Sequence, residues 1–389
     1  MYKSITTLLG NVSSQPINKY RQPLSFLIYA VVCFTCLIYA LEIYDGGQEW
    51  KTGDWLINYE GGFVRRGLIG QIIFELSGLG LNILWTAFAI QATVYLLVAY
   101  YTLEFFFEQE RSAASLLLLA SPAFIFLFPI YDTSGALKKE ILVFLAFCLL
   151  MRSQQNGRIS HSLALSSLAI YVIAAFSHEP CVLTIPFFIY PLLQNYRKQT
   201  EKRTRILYAA MFLIASAVSL LCAIAFPGDA YTYKHICNSL VRAGLSDPIC
   251  SGSIVWIKHT MNDGVNRVLN FLKIYSYVYP LSFALAIIPI AITDWFRRNL
   301  LIVIIGFLSL LPLFLVAYDW GRWIHIYIFF ITTLALNQPA GLTFHAKKIP
   351  WVSIPIYATA WYLPACCQPS FLGGFFSSVH YFFKYYIFV

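Results

Sequence analysis

Apolar runs follow one another along almost the whole chain, and this succession constrains the fold more than any motif does. They fall at residues 24–42, 81–103, 114–130, 139–151, 162–176, 181–194, 206–226, 274–293, 300–317, 323–337 and 350–366. A helix needs about 20 apolar residues to cross a hydrocarbon core roughly 30 Å thick. The pattern predicts an all-α, polytopic integral membrane protein with about eleven transmembrane helices, forming a single membrane domain over 1–389. The tail 371–389 reads as a twelfth span or as an aromatic helix at the interface. With 59% hydrophobic and 12% charged residues, the chain has too little charge to cover a water-facing surface, where about a quarter is usual. A mean hydropathy of +0.67 excludes a soluble enzyme, a disordered chain and a coiled coil.

Charge placement suggests sidedness. Lys3, Lys19 and Arg21 precede the first run without a cleavage-site pattern, so that run reads as an anchor. Counting outward from a cytoplasmic amino terminus, the inner loops hold Arg111, Arg152, Arg158, the cluster Arg197 to Arg205, Arg297, Arg298, Lys347 and Lys348. That is the asymmetry of the positive-inside rule. The net charge of +9 then reflects basic loops and anionic headgroups or substrates. No nucleic acid is expected, because no basic domain stands apart from the spans. Most acids fall on the opposite, outer side, several of them in short turns. Two longer outer segments are expected, 43–80 and 227–270, the second carrying Cys237 and Cys250, for which a disulfide is left open.

Four outer segments combine charge with turn chemistry. In the first, Asp54 and Glu60 precede Gly61-Gly62-Phe63-Val64-Arg65-Arg66-Gly67, and Leu68, Ile69, Ile72, Ile73 and Leu76 then recur at the spacing of an amphipathic helix lying on the membrane. Paired guanidiniums match phosphate oxygens in forked geometry; lipid headgroups are their alternative ligand. In the second, Lys138-Lys139-Glu140 opens a helix. Lysines there oppose the helix dipole unless they bind an anion with the free N–H groups, or simply snorkel. The third is Ser177-His178-Glu179-Pro180, where desolvation is expected to raise the Glu179 pKa toward that of a general base, against the alternative of a capping turn. In the fourth, Asp319-Trp320-Gly321-Arg322-Trp323, Asp319 and Arg322 can pair, and the tryptophans offer faces on which sugars stack. No acid pair has metal-ligand spacing, so neither a metal nor a cofactor is expected.

On Arg65-Arg66, Lys138-Lys139-Glu140, His178-Glu179 and Asp319-Arg322, with its length, span number and Phe/Tyr content, the chain resembles the Wzy-type O-antigen and capsule repeat-unit polymerases, including the EpsG-like group. The resemblance implies a bacterial inner-membrane enzyme that transfers a glycan from undecaprenyl diphosphate onto an incoming lipid-linked repeat unit at the periplasmic face. A polyprenyl-diphosphate-linked oligosaccharide, membrane lipid, a chain-length regulator and a flippase would be its partners. Arg65, Arg66, Lys138, Lys139, Arg322, Trp320 and Trp323 would bind substrate. Glu179 would be the acceptor base, with His178 or Asp319 as alternatives. A large late loop bearing arginines is common in that family, whereas here the long loop is mid-chain. The chain is also similar to GT-C glycosyltransferases, which have an acid in the first outer loop followed by an amphipathic helix; Asp54 or Glu60 is then the base. A transporter of lipid-linked oligosaccharide is the rival from another class, disfavoured by the scarcity of polar residues deep in the runs.

Overall fold

In a computed structural model, the described residues are 17–109, 111–154, 158–194, 201–338, 342–344 and 349–374. Lys3, Arg197, Lys198, Lys347, Lys348 and most of the tail 371–389 lie outside them. Helices in chain order are α1 (Arg21–Tyr44), α2 (Leu68–Gly78), α3 (Ile83–Phe107), α4 (Glu140–Ser153), α5 (His161–Ser177), α6 (Ile185–Leu193), α7 (Lys202–Ala225), α8 (Ala230–Arg242), α9 (Met261–Ala291), α10 (Leu300–Val316) and α11 (Trp320–Leu336). Short helical turns link them, and two isolated bridges are the only β pairing among the described residues. The protein is all-α.

Four helices are long and apolar enough to cross a membrane: the first, from Asn18 to Tyr44, then α3, α7 and α9, of 24 to 31 residues. At 1.5 Å per residue, helices of that length reach roughly 36–46 Å. Helices of that length answer four of the expected eleven spans. Run 114–130 breaks into the turns Leu116–Leu119 and Phe128–Tyr131, and run 350–366 keeps only the seven-residue helix Ser353–Thr359. Runs 139–151 and 323–337 do form helices, but α4 is buried from Glu140 to Met151 and α11 from Gly321 to Leu336. Such helices are apolar all round because other helices cover every face. By contrast α7 exposes Leu207, Ile214, Leu221 and Ile224, each 59–68% accessible.

Aromatic residues build much of this interior. Phe144 of α4 stacks on Phe329 of α11 with ring centroids 3.9 Å apart, and Phe187 of α6 stacks on Phe330 at 4.7 Å. Offset and edge contacts of this kind add about 0.5–1.5 kcal/mol each beyond area burial. At one end of the bundle, Arg111 is buried instead of lying in a solvated loop. Its guanidinium donates to the carbonyls of Phe106 at 2.9 Å, Phe105 at 3.3 Å and Leu336, so one cation holds the C-terminal ends of α3 and α11 together. Cations are favoured where unpaired helix carbonyls gather.

The other end is built from the turns. Within 43–80, a helical turn Thr52–Trp55 and the buried stretch to Asn58 precede α2. Helix α2 buries Ile69, Gly70 and Ile73 and packs against α3 and α5, with Ile72 exposed. Its inner stripe is therefore covered by protein, not free to lie on a bilayer. A Cβ on Gly70 would sit 1.9 Å from the Ile57 carbonyl oxygen, so only glycine lets α2 reach the preceding loop. The segment 227–270 is no open loop either. It holds α8, two single turns and the start of α9, and Cys237 and Cys250 form a disulfide that ties α8 to the turn Asp247–Cys250.

Candidate functional site

The four charged turns meet. At the centre, Arg322 donates from Nε and Nη2 to the two Glu140 oxygens at 3.1 and 2.8 Å, and from Nη1 to Asp319 at 2.7 Å. Its Nη2 also lies 3.3 Å from His178 Nε2. Lys139 Nζ donates to the Arg66 carbonyl at 2.6 Å and lies 4.0 Å from Asp54 Oδ1. Arg66 donates to both Glu179 oxygens at 2.6–2.9 Å, and Arg65 Nη1 adds a bond of 3.0 Å to the same carboxylate. Residues more than 250 positions apart in sequence thus gather in two adjacent groups, one around Arg322 and one around Glu179 and Lys139, with Asp54 in the field of both.

Local backbone explains how these side chains arrive. Arg66 and Leu137 have φ of 72° and 51°, the left-handed region that non-glycine residues avoid at a cost of about 1–3 kcal/mol. Leu137 is held there by its carbonyl, which accepts from Trp55 Nε1 at 3.0 Å and Gln91 Nε2 at 2.9 Å. That bend turns Lys138 and Lys139 inward, 6% and 0% exposed. They do not snorkel. The strained Arg66 is anchored by its neighbours: Arg65 N–H donates to Phe226 O, Arg65 Nε to Pro227 O, and Ile69 N–H to Ser177 Oγ. A Cβ on Gly321 would lie 1.8 Å from the Pro364 carbonyl oxygen, so the fourth turn fits under the strand-like segment 361–365 only with glycine at that position.

The electrostatics separate the carboxylates by role. Burial pushes the Asp54 carboxyl up, but the cations Lys139, Lys138 and Arg322 outweigh it and bring it down to about 2. Its Oδ2 is buried without a partner. Burial likewise acts upward on Glu179, and Arg66 and Arg65 more than reverse it, leaving the carboxyl far below its ordinary range. The expectation of a Glu179 raised toward neutrality fails because two guanidiniums, unseen in its own turn, bind it. Burial lowers His178 to about 4, and its Nδ1 has no partner, so the ring is neutral. Burial lowers Lys139 to about 8.

Other predicted residues are placed differently. Glu60 is exposed and takes no part in the ion pairs of the cluster. The tryptophans are not free walls for sugar. Trp320 packs on Tyr275, Tyr279 and Phe314 with its Nε1 donating to Phe314 O at 2.8 Å, and Trp323 is 2% exposed beneath the Arg322 guanidinium. Arg322 itself is committed to protein carboxylates. Three further participants are not among the site candidates read from the sequence. Lys51 is 2% exposed, bonds Glu42 at 2.6 Å and lies over the Tyr39 ring. Asp132 accepts from Gly135 N–H at 2.8 Å and Ala365 N–H at 2.6 Å, pinning the second turn to the segment over the fourth. His325, one turn beyond Arg322, stacks on Phe128 and lies 2.8 Å from Ala123 O through Nδ1. Helical spacing from Arg322 was the one clue to it.

A small pocket open to the outside reaches this network at Arg65, Arg66 and Glu179, between the 63–66 loop, α5 and α7. Apart from Ser219 its remaining walls, among them Phe63, Val64, Phe176 and Ala223, are apolar. Among the described residues, no three His, Cys, Asp or Glu side chains converge as metal ligands do.

Neither a curated protein nor a solved structure matches the chain. A family model described as "Uncharacterised membrane protein Rv1490" matches residues 22–271, a stretch that contains Asp54, Arg65, Arg66, Lys138 to Glu140, His178 and Glu179 and stops short of Arg322. By that match over more than half its length, the chain is a membrane protein that belongs to the Rv1490 family.

Proposed function

We propose that this protein is a glycosyltransferase of the bacterial inner membrane that takes its sugar from a polyprenyl phosphate or diphosphate carrier at the periplasmic face, its amino terminus being cytoplasmic. The observation that carries the reading is Asp54: a buried carboxylate with one free oxygen, beside Lys139, at the inner end of a charge network that opens through Arg65 and Arg66 into a partly apolar pocket. Its position in the first long inter-helix segment, ahead of α2, is the arrangement that the GT-C resemblance implies.

In the step proposed, an acceptor hydroxyl attacks the anomeric carbon. The bond from that carbon to the carrier phosphate oxygen breaks, the phosphate keeps the electron pair, and the hydroxyl proton passes to Asp54. Arg65, Arg66 and Lys139 stabilise the charge that develops on the leaving phosphate. A carboxylate held near 2 is a weak base. An anion bound to those same cations cancels their field and raises its basicity, so base strength would appear when substrate is in place. Arg322, Glu140 and Asp319 are positioning residues that hold His178 and the α4 and α11 ends around Asp54. The disulfide supports an oxidising, periplasmic location for this end of the bundle.

Repeat-unit polymerisation is the second reading, favoured by the paired arginines, whose two forks suit the extra phosphate of a diphosphate carrier. A gel of surface glycan from a deletion strain tests both. A ladder of altered spacing or composition supports single-sugar transfer, and a single capped repeat unit supports polymerisation. An unchanged glycan, together with no sugar transfer by the purified protein from polyprenyl-linked donors, rejects both.

A further inference from the structure

In this structure the cations that would bind a phosphate are already occupied. Glu179 receives bonds from Arg65 Nη1, Arg66 Nε and Arg66 Nη2 between 2.6 and 3.0 Å, the forked contact that guanidiniums make with a phosphate. All three side chains are 20–23% exposed, so the contact faces the pocket and is not sealed in the core. Two guanidiniums against one carboxylate leave a surplus positive charge. A phosphate monoester, with up to two negative charges, complements it better than Glu179 does.

The rest of the pocket bears on what carries that phosphate. Ala175 and Phe176 on α5 and Cys222 and Ala223 on α7 give the pocket beside the arginines a mostly apolar wall. Phe63, which lines the pocket, and Phe226, in edge contact with it, are 43% and 47% accessible, an apolar surface beside the arginines. A polar head at Arg65 and Arg66 with an apolar tail along Phe63 and Phe176 therefore matches both kinds of wall in the pocket.

We propose that Glu179 is an internal anion that closes the head-group site of a single-chain isoprenoid phosphate, and that the lipid displaces it with its chain lying along Phe63 and Phe176. This rests on the lipid-phosphate donor of the preceding reading. The exchange is noncovalent: the Arg65 and Arg66 bonds pass from the carboxylate to phosphate oxygens, and Glu179 turns into the pocket. The resting protein would then keep bulk anions out and admit a ligand that supplies both a strong anion and apolar burial.

The experiment measures binding of farnesyl phosphate to the full-length protein in nanodiscs, with no sugar present. Glu179→Gln removes the competing anion and should tighten binding about tenfold or more, the worth of one to two charge-assisted bonds. Glu179→Asp keeps the charge on a shorter arm and should tighten it less, which preserves a test if the Gln variant folds poorly. Ala223→Trp, which fills the apolar side of the pocket, should abolish binding, and millimolar inorganic phosphate should not compete. Unchanged or weaker binding in both Glu179 variants overturns the proposal. So does equal competition by inorganic phosphate, which assigns the site to a free anion, or by phosphatidylglycerol vesicles, which assigns it to bulk headgroups. Tight binding without sugar transfer would sink the enzymatic reading and leave this one standing.

Discussion

Asp54 and Glu179 are both carboxylates in poorly solvated turns, yet their surroundings give them different work. Glu179 is gripped by two guanidiniums, whereas Asp54 keeps an oxygen free beside an ammonium 4.0 Å away. Asp54→Asn is therefore expected to reduce sugar transfer by about 10²–10⁴-fold, the usual worth of a general base, with farnesyl phosphate binding unchanged. Equal loss of transfer and binding would make Asp54 a structural residue. His178 gives a pH signature. Its folded pKa, depressed from 6.5 to about 4 by burial, means the unfolded chain takes up a proton first as the pH falls. Stability should then drop between about pH 6.5 and 4, and thermal unfolding in detergent should show a smaller drop for His178→Gln. Glu140 and Arg322 are 2% and 4% exposed. Glu140→Gln strands a buried guanidinium and should cost about 3–5 kcal/mol, while replacing both by apolar residues should cost less; chemical denaturation of the two variants checks this.

At the scale of elements, the site depends on close approach and on a clamp. Helix α2 reaches the Trp55–Asn58 stretch only because position 70 is glycine. Gly70→Ala should destabilise by at least about 1–3 kcal/mol, as overpacking of backbone does, readable as a lowered unfolding midpoint. The clamp lies in segment 227–270. Ser253 N–H and Oγ donate to the Glu49 and Trp50 carbonyls, and Asn58 Nδ2 donates to Ser239 Oγ, so α8 and its turns press on the loop that carries Asp54. The Cys237–Cys250 disulfide closes a loop of 13 residues within that clamp. Its replacement by serines should cost about 3 kcal/mol. Sugar transfer should also fall on treatment with reductant; insensitivity of both stability and transfer would show that the clamp holds without it.

For the molecule as a whole, the apolar helices divide into a lipid-facing set and an interior set. Spin labels at Leu207, Ile214 and Leu221 of α7 should be open to oxygen in the bilayer, while labels at Phe147 or Phe330, both fully buried, should be inaccessible or disrupt folding. Equal accessibility would mean that α4 and α11 are conventional lipid-facing spans. The sequence by itself determined that the chain is helical and membrane-embedded, since the surplus of apolar residues permits little else. It also marked four charged turns, because ionisable groups between apolar runs stand out. It did not separate lipid-facing helices from interior ones: hydrocarbon and a protein core select the same residues, so the runs of α4 and α11 read like those of α3 and α7. Nor did it show that Arg65 and Arg66 would bind Glu179, that Arg322 would be spent on Glu140, or that Lys51 would be buried beside Glu42. Those pairings join positions remote in the chain, and a pKa or a free donor is a property of what lies within a few ångströms. Only the packing of the helices decided that distance.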